Sequence, residues 1–186
     1  MSEATLIDVL PAHRFDEARL LSYLNGRLAG AEQGMQVKQF QGGQSNPTYL
    51  LTVGEHRYVL RKKPPGKLLP SAHMVEREYQ VINALGSTDV PVPTARLLCE
   101  DPEIIGTAFY IMDYVEGRVH TQPLLSDVEQ SQRLPIYRSM IETMAQLHNV
   151  DWKAVGLESY GKAEGYIPRQ IKRWSGQFEA SRTGDM

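Results

Sequence analysis

Hydrophobic residues in the first part of the chain recur at helical spacing. Four leucines between positions 20 and 28 fall on one face, which predicts an amphipathic helix over Phe15–Leu28. Asp16 stands where it can cap the first turn, and the glycines at 30 and 34 follow the last one. The pattern therefore predicts one capped helix ahead of the strands.

Short apolar runs then predict five strands. They cover Val37–Phe40, Tyr49–Val53, Arg57–Lys62, Thr94–Cys99 and Thr107–Tyr114. Between the third and fourth runs, Ser71–Leu85 has helical spacing, with Ser71 as its N-cap and Gly86 just past its end. Five closely spaced strands with one inserted helix indicate a mostly antiparallel sheet with a helix packed on it.

After Glu116-Gly117 the pattern predicts helices only. A capping box of Ser126 and Glu129 predicts one helix start, and Pro135 is expected to interrupt that helix. Pro168 is expected in the first turn of a last helix, which runs to about residue 180.

The change of pattern divides the chain into two expected parts. Residues 1–116 are expected to form a lobe of helix and antiparallel sheet, and residues 117–186 the incomplete beginning of a helical lobe. The predicted fold class is therefore α+β.

Composition and charge exclude several classes of protein. The 186 residues carry 20 basic and 22 acidic side chains, a net charge of −2, which gives no overall field to attract nucleic acid. The single cysteine, Cys99, excludes an internal disulfide. No signal peptide and no apolar run of membrane-spanning length is evident. We expect a soluble, cytoplasmic protein without a membrane partner, whose oligomeric state stays open.

A glycine turn lies between the first two predicted strands. Gly42 and Gly43 lack a Cβ, so the backbone N–H groups of the turn can approach a phosphate closely. Ser45 and Asn46 follow and add side-chain donors. We expect this segment to hold phosphate, although an ordinary hairpin turn would show the same residues.

The third predicted strand offers an apolar residue and a cation on one face. Because side chains alternate along a strand, Val59 and Arg61 point to one side and Tyr58 and Leu60 to the other. Val59 can then pack on a base while Arg61 reaches the phosphates. The alternative is a solvated basic rim, made by Arg61 and the lysines at 62, 63 and 67.

The helix after this strand supplies an acid. Glu78 lies about two turns into the predicted helix and is expected to form an ion pair with Arg61. A cation on the third strand paired with a glutamate of the following helix is how protein kinases hold nucleotide phosphates. The order and spacing of these residues favour nucleotide binding over a surface role for each.

These motifs, in this order, resemble the aminoglycoside/choline phosphotransferase family, which has a protein-kinase-like fold. Within the family, the chain most resembles the kinase-like domain fused to some acyl-CoA dehydrogenases. The resemblance begins near position 38 and covers nearly all of the remaining chain. The matching segments are Gly43–Tyr49, Tyr58–Gly66, Val75–Tyr79, Val90–Pro93, Phe109–Gly117, Leu147–His148 and Asp151–Trp152. The resemblance implies a kinase-like N-terminal lobe, followed by the first helices of an α-helical C-terminal lobe.

The resemblance also implies roles for single residues. Arg61 takes the place of the phosphate-contacting cation, and Glu78 that of its partner. Met112 would line the back of an adenine pocket, and the backbone of Asp113 and Val115 would hydrogen-bond the adenine edge. The residues expected to bind the cofactor are Gly43, Ser45, Asn46, Val59, Arg61, Glu78, Met112, Asp113 and Val115.

The function that the resemblance implies is transfer of the γ-phosphoryl group of ATP, with Mg²⁺, to a small molecule. The acceptor would be a hydroxyl or amino group of a metabolite such as a hydroxyacyl-CoA or an aminoglycoside-like compound. The family's His-Gly-Asp catalytic motif does not occur in the sequence. We therefore expect the catalytic residues and metal ligands beyond Met186, and expect the 186-residue chain alone to be inactive.

Two alternatives stay open. The missing catalytic motif is also expected of a non-catalytic nucleotide-binding or scaffold module of kinase-like fold. A half-built helical lobe would leave apolar side chains such as Met140, Met144 and Trp174 poorly covered, which disfavours a free-standing module. A nucleic-acid binder that uses the lysines at 62, 63 and 67 is the other alternative, and retention of DNA or RNA would test it.

Overall fold

The protein is described here by a computed structural model, which divides the chain into two compact units, Met1–Val150 and Asp151–Met186. All strands within the described ranges belong to the first unit. The predicted lobe boundary near residue 117 stays a prediction. The structure describes residues 5–42, 46–66, 73–120, 122–161 and 164–181.

The described strands form one antiparallel sheet in the order β1-β2-β3-β4-β6-β5. The strands are β1 Leu6–Ile7, β2 Met35–Phe40, β3 Thr48–Val53, β4 His56–Lys62, β5 Ala95–Cys99 and β6 Phe109–Asp113. The prediction of a mostly antiparallel sheet is confirmed, but the sheet has six strands and not five. The strand β1 was missed because two residues are too short to show a period, and its place depends on pairing with β2.

Five α-helices are described. They are α1 Glu17–Leu24, α2 Val75–Leu85, α3 Pro102–Ile105, α4 Gln130–His148 and α5 Tyr166–Ser181. The predicted cap of α1 is confirmed, since the Asp16 carboxylate accepts a hydrogen bond from the Arg19 N–H at 2.8 Å. The helix is shorter than predicted and ends at Leu24, although Leu28 is buried as expected.

Two helix starts differ from the predictions. Helix α2 begins at Val75 in place of Ser71, which lies outside the described residues, and Gly86 follows its end as predicted. Helix α4 begins at Gln130, so the capping box from Ser126 is wrong. Residues 122–128 instead form turns that bury the side chains of Leu125 and Val128 ahead of the helix. Burial of these two side chains outweighed the local preference for a helix start at Ser126.

Pro135 does not interrupt α4, contrary to the prediction. It lies in the second turn, where the helix loses one hydrogen bond, the one that Pro135 cannot donate to the carbonyl four residues earlier. The long helix that continues to His148 tolerates that loss. In the second unit, Pro168 lies in the first turn of α5, as predicted.

The register of the sheet separates two faces. On one face, Tyr49, Leu60 and Ile111 are direct cross-strand neighbours and are fully buried. Leu20 and Leu24 of α1 pack against this face and complete the main hydrophobic core. Residues one position away along each strand point to the opposite face, which is therefore free of α1 and carries the residues of the candidate site.

A two-residue turn fixes the pairing of β3 with β4. Val53 and His56 are register partners, and Gly54 between them has a φ of 57°. This left-handed conformation suits glycine, which lacks a Cβ. The turn sets which residues of the two strands face each other, and hence which residues meet in the candidate site. None of the helices within the described ranges combines the length and apolar character needed to cross a lipid bilayer.

Candidate functional site

Two rows of side chains cross the sheet on the face opposite α1. In the first row, Val59 of β4 lies between Leu50 of β3 and Met112 of β6. The second row lies two residues away from the first on each strand. In it, Arg61 lies between Thr48 of β3 and Tyr110 of β6. Because side chains on a strand repeat with period two, both rows share one face. The prediction that Val59 and Arg61 point to the same side is confirmed.

A cleft of about 880 Å³ lies over the first row. Leu50, Val59 and Met112 contribute apolar surface to it. Its other lining residues are Leu6, Phe40, Arg57 and residues 91–93 and 113–119. This volume and its mixed lining are typical of sites for small molecules. The cleft thus offers a flat apolar surface to a planar group, with polar backbone beside it.

The second row contains the predicted ion pair. The Arg61 Nε lies 2.6 Å from Oε2 of Glu78, which confirms the expected contact between β4 and α2. The Arg61 Nη1 also donates a hydrogen bond to the Thr48 hydroxyl at 3.0 Å. These bonds use two of the five guanidinium N–H groups, so three have no partner within the described ranges. Arg61 is therefore held in place and still has donors to offer.

Glu78 receives hydrogen bonds from three residues. Its Oε2 accepts from the Tyr110 hydroxyl at 3.1 Å as well as from Arg61, and its Oε1 accepts from the Asn46 amide at 2.9 Å. Burial raises the pKa of Tyr110, and the nearby charge of Glu78 raises it further. Glu78 also lies near the N-terminus of α2, where the helix dipole favours a negative charge.

Asn46 is placed differently from the expectation that it donates to a phosphate. Its side chain is only 4% exposed, its nitrogen faces Glu78, and its oxygen lies 3.0 Å from Nδ1 of His73. The geometry favours a role in positioning Glu78. Gly43 and Ser45, the other predicted residues of this turn, lie outside the described residues.

The neighbouring lysines do not form the solvated basic rim that was the alternative. Lys63 pairs with Glu76 of α2 at 2.7 Å. Lys62 points to the opposite face and is 3% exposed, and burial lowers the pKa of its ammonium group. Lys67 lies outside the described residues. Arg61 is paired as well, so each described cation of this stretch is either buried or bound to an acidic side chain of α2.

The two residues whose backbone is predicted to bond the adenine edge, Asp113 and Val115, lie at the end of β6 and just after it. The Asp113 N–H donates to the Thr94 carbonyl at 2.9 Å, and its carboxylate is bound by Arg96. These contacts with Arg96 lower the pKa of Asp113. Val115 is 65% exposed and lines the cleft, and its N–H has no backbone partner within the described residues.

Three residues of this site were missed in the sequence. Thr48, Tyr110 and His73 all contact the Arg61–Glu78 pair or its neighbour Asn46. The alternation along β3 and β6 was a signal for the first two, since each shares a face with a predicted site residue or cleft residue two positions away. Nothing in the local sequence pointed to His73.

The described residues do not include a metal centre. Nowhere in the described ranges do three His, Cys, Asp or Glu side chains gather in a way that could hold a metal ion. What the structure brings together here is an apolar surface at Val59 and Met112, backbone groups at the end of β6, and a guanidinium held by Glu78 and Thr48.

Comparison with known proteins gives consistent matches. The model of the phosphotransferase enzyme family matches residues 36–185. The chain is 50% identical over 178 residues to an Arabidopsis thaliana protein described as a probable acyl-CoA dehydrogenase, IBR3. It is 42% identical over 188 residues to acyl-CoA dehydrogenase family member 11 of Homo sapiens. These matches cover 91% and 99% of this chain.

The chain spans only 22% and 24% of the length of those two relatives. A solved structure from Ralstonia eutropha, described as a candidate aminoglycoside phosphotransferase, is 41% identical and superposes with a TM-score of 0.76. That match covers 92% of this chain and 50% of the solved one. The fold and the family model thus agree with each other.

Proposed function

Because the chain belongs to the phosphotransferase enzyme family, we propose that the complete protein transfers the γ-phosphoryl group of ATP to a small metabolite. The acceptor is a hydroxyl or amino group. The observation that carries the proposal is Arg61, which is oriented by Glu78 and Thr48, keeps three N–H donors without a partner in the described ranges, and shares a sheet face with the cleft residue Val59. A nucleotide needs this combination, because its base is planar and apolar on its faces while its phosphates are anionic.

The adenine ring lies on Val59 and against Met112, which line the cleft. At its edge, the 6-amino group donates to the Asp113 carbonyl, since the Asp113 N–H is already used by Thr94. The Val115 N–H donates to a ring nitrogen. Gly43 and Ser45, which lie outside the described residues, stay proposed contacts of the phosphates.

Arg61 contacts the phosphates of the bound nucleotide. Phosphoryl transfer depends mostly on positioning and on stabilising the charge of the transferred group. A guanidinium held at two other points neutralises phosphate charge without itself having to be reordered on binding. Mg²⁺ would supply further neutralisation when bound. In the part of the chain that the structure describes, no three His, Cys, Asp or Glu side chains gather in a way that could hold it.

The class of acceptor is supported by the names of the relatives. Two of them are named as acyl-CoA dehydrogenases, which favours a hydroxyacyl-CoA over an aminoglycoside as the acceptor. The Ralstonia eutropha protein, described as a candidate aminoglycoside phosphotransferase, supports transfer to a hydroxyl or amino group in general.

Calorimetric titration of Mg–ATP into the complete protein tests the proposal. We expect saturable binding that is weakened by Arg61→Ala and unchanged by Arg19→Ala, which removes an exposed arginine of α1. Incubation with γ-labelled ATP and a set of hydroxyacyl-CoA and aminoglycoside acceptors then tests transfer. Binding without transfer to any acceptor would favour the non-catalytic nucleotide-binding module. Absence of binding by the folded protein would reject the proposal.

A further inference from the structure

Four residues form a closed ring of hydrogen bonds around the proposed phosphate-binding cation. Asn46 donates from its amide to Glu78, Arg61 donates to both Glu78 and Thr48, and the Thr48 hydroxyl donates at 3.1 Å to the backbone carbonyl of Asn46. This polar ring joins β3, β4, α2 and Asn46, which lies two residues before β3. Asn46 closes it by contributing both its side chain and its backbone.

We propose that Asn46, itself oriented by His73, is a positioning residue that fixes the Glu78 carboxylate and thereby the direction in which Arg61 presents its unused N–H groups. The inference rests on the proposed function, because it assigns the nucleotide phosphates to those N–H groups. Asn46 acts through Glu78 and does not touch the nucleotide.

The amide of Asn46 has one satisfactory orientation. The Glu78 carboxylate, ion-paired with Arg61, can only accept hydrogen bonds, so the NH₂ group of Asn46 must face it. The Asn46 oxygen then faces Nδ1 of His73 at 3.0 Å. An amide oxygen can only accept, and therefore His73 must carry a proton on Nδ1. The proton position on His73 follows from the charge of Glu78, two contacts away.

The backbone of His73 supports a specific role for this residue. Its φ is 59°, in the left-handed region that non-glycine residues rarely adopt. Such a conformation costs free energy and persists where the surrounding structure requires it. Here it accompanies the contact between the imidazole and Asn46, just ahead of the first turn of α2.

The ring also explains what an arginine contributes at position 61. A guanidinium can bond Glu78 and Thr48 through separate nitrogens and still direct N–H groups elsewhere, because its donors are fixed in one plane. A change in the Glu78 orientation would rotate that plane and turn the free donors away. Positioning of the carboxylate therefore controls phosphate contact.

Asn46→Asp tests the inference, because it replaces the donor with an acceptor facing the Glu78 carboxylate. Mg–ATP affinity of the complete protein should fall about tenfold or more. Asn83→Asp makes the same chemical change at an exposed position of α2 and should leave affinity unchanged. Should Asn46→Asp fail to fold, Thr48→Val opens the ring at its other end while keeping the side-chain shape, and should also weaken binding.

The double variant Asn46→Asp/Glu78→Gln provides a rescue. It exchanges the carboxylate and the amide, so that the amide nitrogen introduced at position 78 donates to the carboxylate introduced at position 46. The amide oxygen on α2 then accepts from Arg61, and every bond of the ring has a donor and an acceptor again. We expect tighter Mg–ATP binding than in Asn46→Asp alone. A role of Asn46 in packing only would predict no rescue, since the volumes of the side chains are nearly the same.

The ring proton of His73 gives a readout that does not depend on nucleotide binding. In the wild-type protein with isotope-labelled histidine, NMR should detect the proton of His73 on Nδ1, the signal being assigned by its loss in His73→Gln. A neutral His73 with its proton on Nε2, or full Mg–ATP affinity in Asn46→Asp, would overturn the inference. If the wild type does not bind Mg–ATP but His73 carries its proton on Nδ1, the proposed function fails while the orientation of Asn46 stands.

Discussion

Arg96 and Asp113 form a bidentate ion pair at the end of β6, with the Nε–Oδ1 and Nη2–Oδ2 distances both 2.7 Å. The register between β5 and β6 shifts between Ala95 and Leu97, and such an irregularity redirects the side chain of the extra residue, here Arg96. Asp113 is also bound through its N–H to Thr94. Asp113 is thus held through its side chain to Arg96 of β5 and through its backbone to Thr94, which precedes β5.

The Arg96–Asp113 pair predicts a dependence of stability on pH. The hydrogen bonds and charge of Arg96 lower the pKa of Asp113 in the folded protein. A carboxyl with a lowered folded-state pKa stabilises the fold above its unfolded-state pKa, and this contribution is lost as the pH falls through the folded-state value.

Urea unfolding between about pH 6 and pH 3 measures this contribution. The free energy of unfolding should fall more steeply towards acid in the wild type than in Asp113→Asn, which cannot titrate. Asp127→Asn, a change at an exposed position, should keep the wild-type slope. Equal slopes for wild type and Asp113→Asn would show that the ion pair contributes nothing to stability.

Two substitutions of Arg61 should separate the contribution of its charge to Mg–ATP affinity from the contribution of its planar geometry. Arg61→Ala should weaken Mg–ATP binding by about tenfold to a hundredfold, because a hydrogen-bonded charge is lost. Arg61→Lys keeps the charge but offers one nitrogen in place of three. A single ammonium group cannot bond both Glu78 and Thr48 and also keep the fixed planar arrangement of donors that the guanidinium has. Its affinity should lie between those of wild type and Arg61→Ala, as measured by calorimetry. If Arg61→Lys binds Mg–ATP as tightly as the wild type, the planar geometry of the guanidinium does not contribute to the affinity.

Met112 should control the space at the back of the cleft. Met112→Ala removes most of a side chain that lines it and so makes room for a substituent on the 6-amino group of adenine. The variant should bind an N6-benzyl ATP analogue about tenfold more tightly than the wild type does, in a competition assay. Met144→Ala, at an exposed position of α4, is the matched control. If Met112→Ala does not bind the N6-benzyl analogue more tightly than the wild type, the adenine ring does not lie against Met112.

The cap of α1 should contribute to the stability of the first unit. Asp16→Ala leaves the Arg19 N–H without its acceptor and should lower the free energy of unfolding by about 1 kcal/mol in urea titration. Asp16→Asn keeps an acceptor at the same position and should restore most of that loss. Nucleotide affinity should not change in either variant, since α1 packs on the sheet face opposite the cleft. If Asp16→Asn lowers the free energy of unfolding as much as Asp16→Ala does, the stabilisation comes from the negative charge of Asp16 and not from its capping hydrogen bond.

Much of the candidate site was predictable because strands alternate with a fixed period. That period placed Val59 and Arg61 on one face, and the order of strand and helix predicted the ion pair with Glu78. The burial of Lys62 follows from the same alternation, yet the run of basic residues suggested a solvated rim. Composition of a short segment was a poorer guide than the position of each residue on its strand.

The sequence alone determined the five longer strands and the capped α1, because these depend on local periodicity. The order of its motifs, which matches that in protein kinases, predicted the pairing of Arg61 with Glu78. The tertiary structure alone decided that Asn46 turns inward to Glu78, that His73 orients it, and that Arg96 meets Asp113. Their contacts depend on strand register and on how α2 lies against the sheet, which a pattern along one segment does not specify.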